Sequence, residues 1–172
     1  MDYTPYVQAI KEKNEEAFEA VYHETKHAVY AMALPIVKDR SLAEDVMQET
    51  YIKMVKNIYT YDMRRSFMTW LLSIAKHAAL DMMRNRKDIA IDQSENEDLF
   101  VSKEISVDKQ MDSEYFLSLL NDTERKIVLL RTVGELKHKD IANVLDIPAG
   151  TVRYTYKHAL EKMRKAAKGG SA

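Results

Sequence analysis

The stretch LKHKDIANVLDIPAGTVRYTYKHALEKMR, Leu136 to Arg164, decides the fold. A short helix carrying Ile141, Ala142 and Leu145 leads through a tight connection, Asp146-Ile147-Pro148, into a longer helix carrying Val152, Tyr156, Ala159 and Met163. The apolar positions recur at helical spacing and can hold the two helices together at a steep angle, as a helix-turn-helix requires. That packing leaves Thr151, Arg153, Tyr154, Lys157 and His158 facing outward near the start of the second helix. Side chains so placed can reach base edges and phosphates in a major groove. Lys162, Arg164, Lys165 and Lys168 extend the positive field. A helical hairpin with a solvated basic face is the plainer alternative. Turn, charge and outward residues together favour DNA binding.

The rest of the chain agrees with a helical protein. Only 4 Gly and 3 Pro occur in 172 residues, too few turn formers for a many-stranded sandwich or barrel, so the fold class is all-α. The net charge of −1 hides an uneven distribution. Residues 1–87 hold 13 basic and 12 acidic side chains, residues 88–118 hold 2 and 9, and residues 119–172 hold 11 and 6. A near-neutral first part, an acidic middle and a basic end imply three pieces with different electrostatic duties, the last suited to a polyanion. The absence of Cys excludes disulfides, thiolate nucleophiles and Cys-based zinc sites, and fits a reducing compartment. No window approaches twenty uncharged apolar residues, and the start lacks the basic-then-apolar order of a signal peptide, so a cytoplasmic location without membrane insertion is expected.

Residues 1–87 predict four helices. Thr4 before Pro5 reads as a helix cap, and a second helix starts near Asn14, with Pro35 expected to kink or end it. Ser41-Leu42-Ala43-Glu44 has capping-box spacing and opens a third helix to about Asn57, with Ala43, Val46, Met47, Met54 and Val55 as its core face. A loop from Tyr59 to Arg65 leads to a fourth helix, about Ser66 to Arg86, with Phe67, Trp70, Leu71, Ile74, Ala78 and Met82 as its stripe. Residues 88–112 read as an acidic flexible linker and residues 113–168 as the second module, in which Asn121 and Glu124 repeat the capping-box spacing and Gly134 is placed to end a helix. Residues 169–172 read as a disordered tail.

Three further features carry possible chemistry. Between Tyr59 and Lys87 aromatic and basic residues alternate, the composition that grips unpaired bases, although Phe67 and Trp70 fall on the core stripe while Tyr61 and the loop arginines fall off it. On the third helix Glu44, Asp45, Gln48 and Glu49 form an acidic row, either solvated or able to dock a basic partner. His23-Glu24-Thr25-Lys26-His27 matches the H-E-x-x-H pattern of zinc peptidases, but no third ligand is fixed by spacing, so two surface histidines are expected, with no metal, cofactor or catalytic residue.

The order of pieces, DRSLAEDVMQETYIKMVKNI and YDMRRSFMTWLLSIAKHAALDMMRNRK before the acidic linker and the helix-turn-helix after it, resembles the extracytoplasmic-function (ECF) group of bacterial sigma factors from about Ala17 to Arg164. The resemblance implies a sigma-two-like module at 1–87 and a sigma-four-like module at 113–168, which together lend promoter specificity to core RNA polymerase. It implies that the helix with Glu44, Asp45, Gln48 and Glu49 meets the clamp helices of the largest polymerase subunit. The loop Tyr61, Asp62, Met63, Arg64, Arg65 and Ser66 would capture a flipped base of the downstream element, around minus ten, with Lys76, His77 and Leu80 against that DNA. The helix with Thr151, Arg153, Tyr154 and Lys157 would read the upstream element, around minus thirty-five. An anti-sigma factor, often membrane-bound, is the further partner that the resemblance implies. Many members carry Asn at the place of His77, a basic residue at that of Thr155 and Ser at that of Pro148, so base preference at both elements stays open. A stand-alone helix-turn-helix regulator is the alternative function.

Overall fold

The computed structural model describes residues 2–92 and 115–169. Four helices form the first group: α1 (Thr4–Lys11), α2 (Glu15–Val37), α3 (Arg40–Asn57) and α4 (Phe67–Asp92), with a 3₁₀ turn at Ile58–Thr60. After a helical turn at residues 115–118 come α5 (Asp122–Thr132), α6 (His138–Leu145) and α7 (Ala149–Gly169). Among the described residues there is no strand. No helix among them is long and apolar enough to cross a membrane.

Helix starts are set by side chains that satisfy the free backbone amides of a first turn. Asn14 accepts from Ala17 N at 2.8 Å and opens α2. The capping box at Asn121 and Glu124 is complete, with reciprocal bonds of 2.9 and 3.0 Å. The Ser41 box is not used: Asp39 accepts from Leu42 N at 2.8 Å, so α3 starts earlier. Thr4 does not cap α1, and its amide is instead held by Asp2 at 3.0 Å. Removing the α3 cap by Asp39→Ala is expected to cost about 1 kcal/mol, read by urea denaturation.

Pro35 lies within the last turn of α2, which continues to Val37 and stops where Lys38 turns left-handed. A proline removes one helical bond, and a single turn from the end that loss neither breaks nor relocates the helix. At its other end, α4 continues to Asp92, past the expected end near Arg86. Residues 93–114, most of the expected linker, and the tail at 170–172 lie outside the described residues.

The core of the first group is a layer of α2, α3 and α4 side chains, with Val21, Met32, Met54, Leu71 and Leu72 essentially sealed from water. Two buried hydroxyls sit inside it. Thr25 bonds both the Val21 carbonyl (2.7 Å) and the Tyr51 hydroxyl (2.8 Å), and Thr50 bonds the Val46 carbonyl (2.7 Å). Each finds a partner, as a buried polar group must. In the second group Leu120, Val128 and Ala159 form a small cluster under α7. α5 also packs on α2 and α6 on α4, so Ile127, Leu130 and Ile141 join the core of the first group.

Candidate functional site

α3 offers its two faces to different environments. Ala43, Val46, Thr50 and Met54 are buried, while Glu44, Asp45 and Gln48 lie on the outer side and Glu49 carries a 3.4 Å ion pair to Lys53. The acidic row therefore stands on the outer surface as expected. Lys53 also reaches Asp81 of α4 at 4.0 Å. Val55 corrects the sequence reading, being 43% exposed rather than core, and Ile52 is 48% exposed beside it. With Phe18, Tyr22 and Tyr51 they line an apolar groove to which Gln48 and Lys56 also contribute. Ile52 and Val55 follow Gln48 by four and seven residues, a helical spacing that could have revealed this shared face.

The loop between the 3₁₀ turn and α4 is preorganised by its own side chains. Asp62 accepts from the Arg64 amide at 3.0 Å and is gripped by its guanidinium through Nε and Nη2, each at 3.0 Å. These bonds hold the Asp62 carboxyl below the usual carboxylate range and raise the Arg64 guanidinium. Ser66 Oγ accepts from Thr69 N at 3.3 Å and caps α4. Tyr61 corrects expectation: its ring is buried against Phe67 and Trp70, and its hydroxyl donates to the Arg65 carbonyl. Burial pushes its phenol up. The loop thus turns Met63, Arg64 and Arg65 to solvent around a fixed aromatic base. On α4, Lys76, His77 and Leu80 are exposed, flanked by buried Leu72, Ala75 and Ala79.

In the second group the helix-turn-helix is formed as read. Asp146 takes the left-handed conformation and Ile147 N bonds the Ala142 carbonyl at 3.1 Å, reversing the chain between α6 and α7. Val152 and Ala159 are buried, and Thr151, Arg153, Tyr154, Lys157 and His158 are exposed, with Tyr154 at 72%. The Tyr154 and His158 rings stack at 6.1 Å. His158 has a second engagement that sequence did not show: its Nδ1 lies 3.1 Å from Glu124 Oε1. Lys162 Nζ reaches both oxygens of the same carboxylate at 2.8 and 2.9 Å. Burial resists ionisation of Glu124, but Lys162, the Asn121 amide and His158 outweigh it and hold the carboxyl below its usual range. One buried carboxylate thereby starts α5 and ties it to α7.

His23 and His27 are exposed on α2, and no third ligand gathers with them among the described residues. Burial and the charges of Arg131 and Arg153 lower the His138 imidazole, at the start of α6.

Two family models match the chain: Sigma-70 region 2 over residues 21–89 and Sigma-70 region 4 over residues 114–163. The chain belongs to the sigma-70 family, the class of initiation factor whose two regions bind core RNA polymerase and promoter DNA. Within that family it is an ECF sigma factor, which directs transcription initiation and is not itself an enzyme. It is 28% identical to the ECF RNA polymerase sigma factor SigW of Bacillus subtilis, with 92% of this chain and 93% of the relative covered. SigX of the same organism is 28% identical over 88% of this chain and 84% of its own. The fold matches that of CnrH in complex with the cytosolic domain of CnrY (TM-score 0.71, 18% identity, 99% of each chain). It also matches RpoE in complex with the anti-sigma factor NepR from Bartonella quintana (TM-score 0.65, 21% identity, 88% of this chain and 96% of that one). The family does not favour the stand-alone regulator or the zinc peptidase.

Proposed function

We propose that residues 1–87 and 113–168 divide the work of this sigma factor between two promoter elements. Glu44, Asp45, Gln48 and Glu49 dock on the clamp helices of the largest subunit of core RNA polymerase. The loop from Tyr61 to Ser66 captures a base flipped from the downstream element, its solvent-facing Met63, Arg64 and Arg65 meeting the unpaired strand while Tyr61 supports them from beneath. Lys76, His77 and Leu80 lie along the adjoining DNA. Thr151, Arg153, Tyr154 and Lys157 read the upstream element, with His158 shared between DNA and Glu124. The observation that carries this reading is the outward placement of an acidic row on α3 and a basic reading row on α7 in one chain.

An anti-sigma factor is the further partner, by analogy with RpoE, whose structure holds the anti-sigma factor NepR. The chain works in the cytoplasm, where such a partner could hold it at the membrane. Mixing it with sigma-free core polymerase and sequencing start sites on genomic DNA of its source tests the reading. Co-elution and transcripts sharing two spaced upstream motifs are expected, and neither binding nor transcripts beside an active control sigma would overturn it. Arg153→Ala should cost about 1–3 kcal/mol of upstream binding and relax preference at one base position. An equal loss across all sequences would reassign Arg153 to a phosphate.

A further inference from the structure

The loop between Tyr59 and Phe67 is held at both of its ends by one helix, α1. Before the loop stands Tyr59, whose ring is 65% exposed and whose hydroxyl nevertheless donates to the Lys11 carbonyl at 2.6 Å. Lys11 is the last residue of α1, so this carbonyl is one of the helix-end acceptors that have no intrahelical donor. After the loop stands Phe67, the first residue of α4, and the ring of Tyr3 stacks on it with centroids 4.8 Å apart. Tyr3 is the residue that precedes α1. Phe67 in turn meets Tyr61 at 5.6 Å and Trp70 at 5.7 Å, so the rings beneath the loop continue into the start of α1. The helix itself is fixed, because Val7 and Ile10 are buried in the main core.

A loop whose two stems are pinned has given up much of its freedom before any ligand arrives, and a preorganised loop binds at a lower entropic cost. The bonds between Asp62 and Arg64 shape the tip, but they are local and do not fix where the tip points. The two ties to α1 do, one at each stem and at opposite ends of a rigid helix of 8 residues, about 12 Å long. The Tyr59 tie adds little to packing, since its ring lies mostly in water. Its effect falls on the direction of the loop.

We propose that α1 is the positioning element of strand capture, with Tyr3 and Tyr59 as its positioning residues. They hold the loop so that Met63, Arg64 and Arg65 meet the unpaired strand without first having to be ordered. The proposal rests on the assignment of this loop to the downstream element above. Both tyrosines act through the loop, so their contribution falls on the opening step, where capture of a flipped base offsets its unstacking. Binding to core, given to α3, and to the upstream duplex, given to α7, does not draw on them.

Tyr59→Phe removes the hydroxyl and keeps the ring, and Tyr3→Leu keeps an apolar side chain and removes the stack. With core polymerase and a promoter recovered by start-site mapping, the full chain carrying both is expected to open the downstream element on the order of fivefold more slowly, the factor that one net hydrogen bond is worth. Permanganate reactivity of the thymines in that element reads the rate. Co-elution with core, binding to an upstream duplex and the thermal midpoint should stay as in the unaltered chain, and Tyr3→Phe, which keeps the stack, should open at the unaltered rate. An unchanged opening rate in the double variant, or slower opening that comes only with weaker core binding and a lower midpoint, would overturn the proposal. Should Tyr3→Leu fail to fold, Tyr59→Phe alone decides by hydrogen exchange of the free chain. The Arg64 and Arg65 amides, both bonded to Asp62, should exchange several-fold faster in it, with those of buried Leu71 and Leu72 unchanged. Equal exchange of the loop amides would overturn the brace. If the unaltered chain does not initiate with core, the assignment of function has failed, and exchange still judges the tie to α1.

Discussion

Asp45→Lys combined with Glu49→Lys is expected to lower promoter-directed transcription with core polymerase by 100-fold or more, with little change in thermal stability. Both side chains lie on the outer face of α3, and Glu49 pairs with Lys53 at 3.4 Å. Losing that surface pair costs a few tenths of a kcal/mol, and a second lysine one turn before Lys53 adds a similar repulsion. The fold tolerates both. A basic partner surface tolerates neither, because like charges juxtaposed in an interface cost several kcal/mol, and each 1.4 kcal/mol is tenfold in affinity. Co-elution with core and run-off transcription read the result. Unchanged transcription would remove the docking role of the row. Ile52→Ala gives a smaller loss if the apolar groove shares the interface.

The second large effect falls on Glu124. Glu124→Ala is expected to destabilise the second group by about 2 kcal/mol, because hydrogen bonds to a charged group contribute about 1.5–3 kcal/mol. The lower part of that range applies, since Lys162 and His158 are partly exposed and rehydrate once the carboxylate is gone. The same substitution removes half of the α5 capping box. Urea denaturation and binding to an upstream duplex should both register it, while binding to core, assigned above to α3 by proposal, should persist. The pH dependence follows from the lowered carboxyl. A carboxyl lowered on folding adds stability above its unfolded pKa, and that stability is lost as pH falls through the folded value. The unaltered protein should therefore loosen below about pH 4.3, the ordinary glutamate pKa, and Glu124→Gln should flatten that acid limb. A limb of unchanged slope in Glu124→Gln would show that another group carries it.

Much of this protein was legible without coordinates, because its helices announce themselves through local rules. The Asp146 turn, the outward side chains of α7 and the Asn121–Glu124 box depend on residues within one or two turns of each other, and all stand where the spacing put them. What escaped depends on competition or on distance. Ser41 and Asp39 are both competent caps, and only the path of the chain out of α2 selects Asp39. Tyr61 looked like surface because it lies off the α4 stripe, but a loop can fold an aromatic ring under itself without helical periodicity. Glu124 was visible as a cap, while its bonds to Lys162 and His158 join residues more than thirty positions apart. Gly134 stood where a helix ends, yet its neighbour is Ala28, which no local pattern could indicate.

The hydroxyl pair of Thr25 and Tyr51 gives α2 and α3 a common mechanical behaviour. The bond at 2.8 Å crosses the sealed interior, and sliding one helix along the other would strand two buried oxygens. Thr25 precedes Ala28 by three residues, within one turn of α2. The hydroxyl bond that ties α2 to α3 therefore stands one turn from the stretch of α2 against which the second group packs.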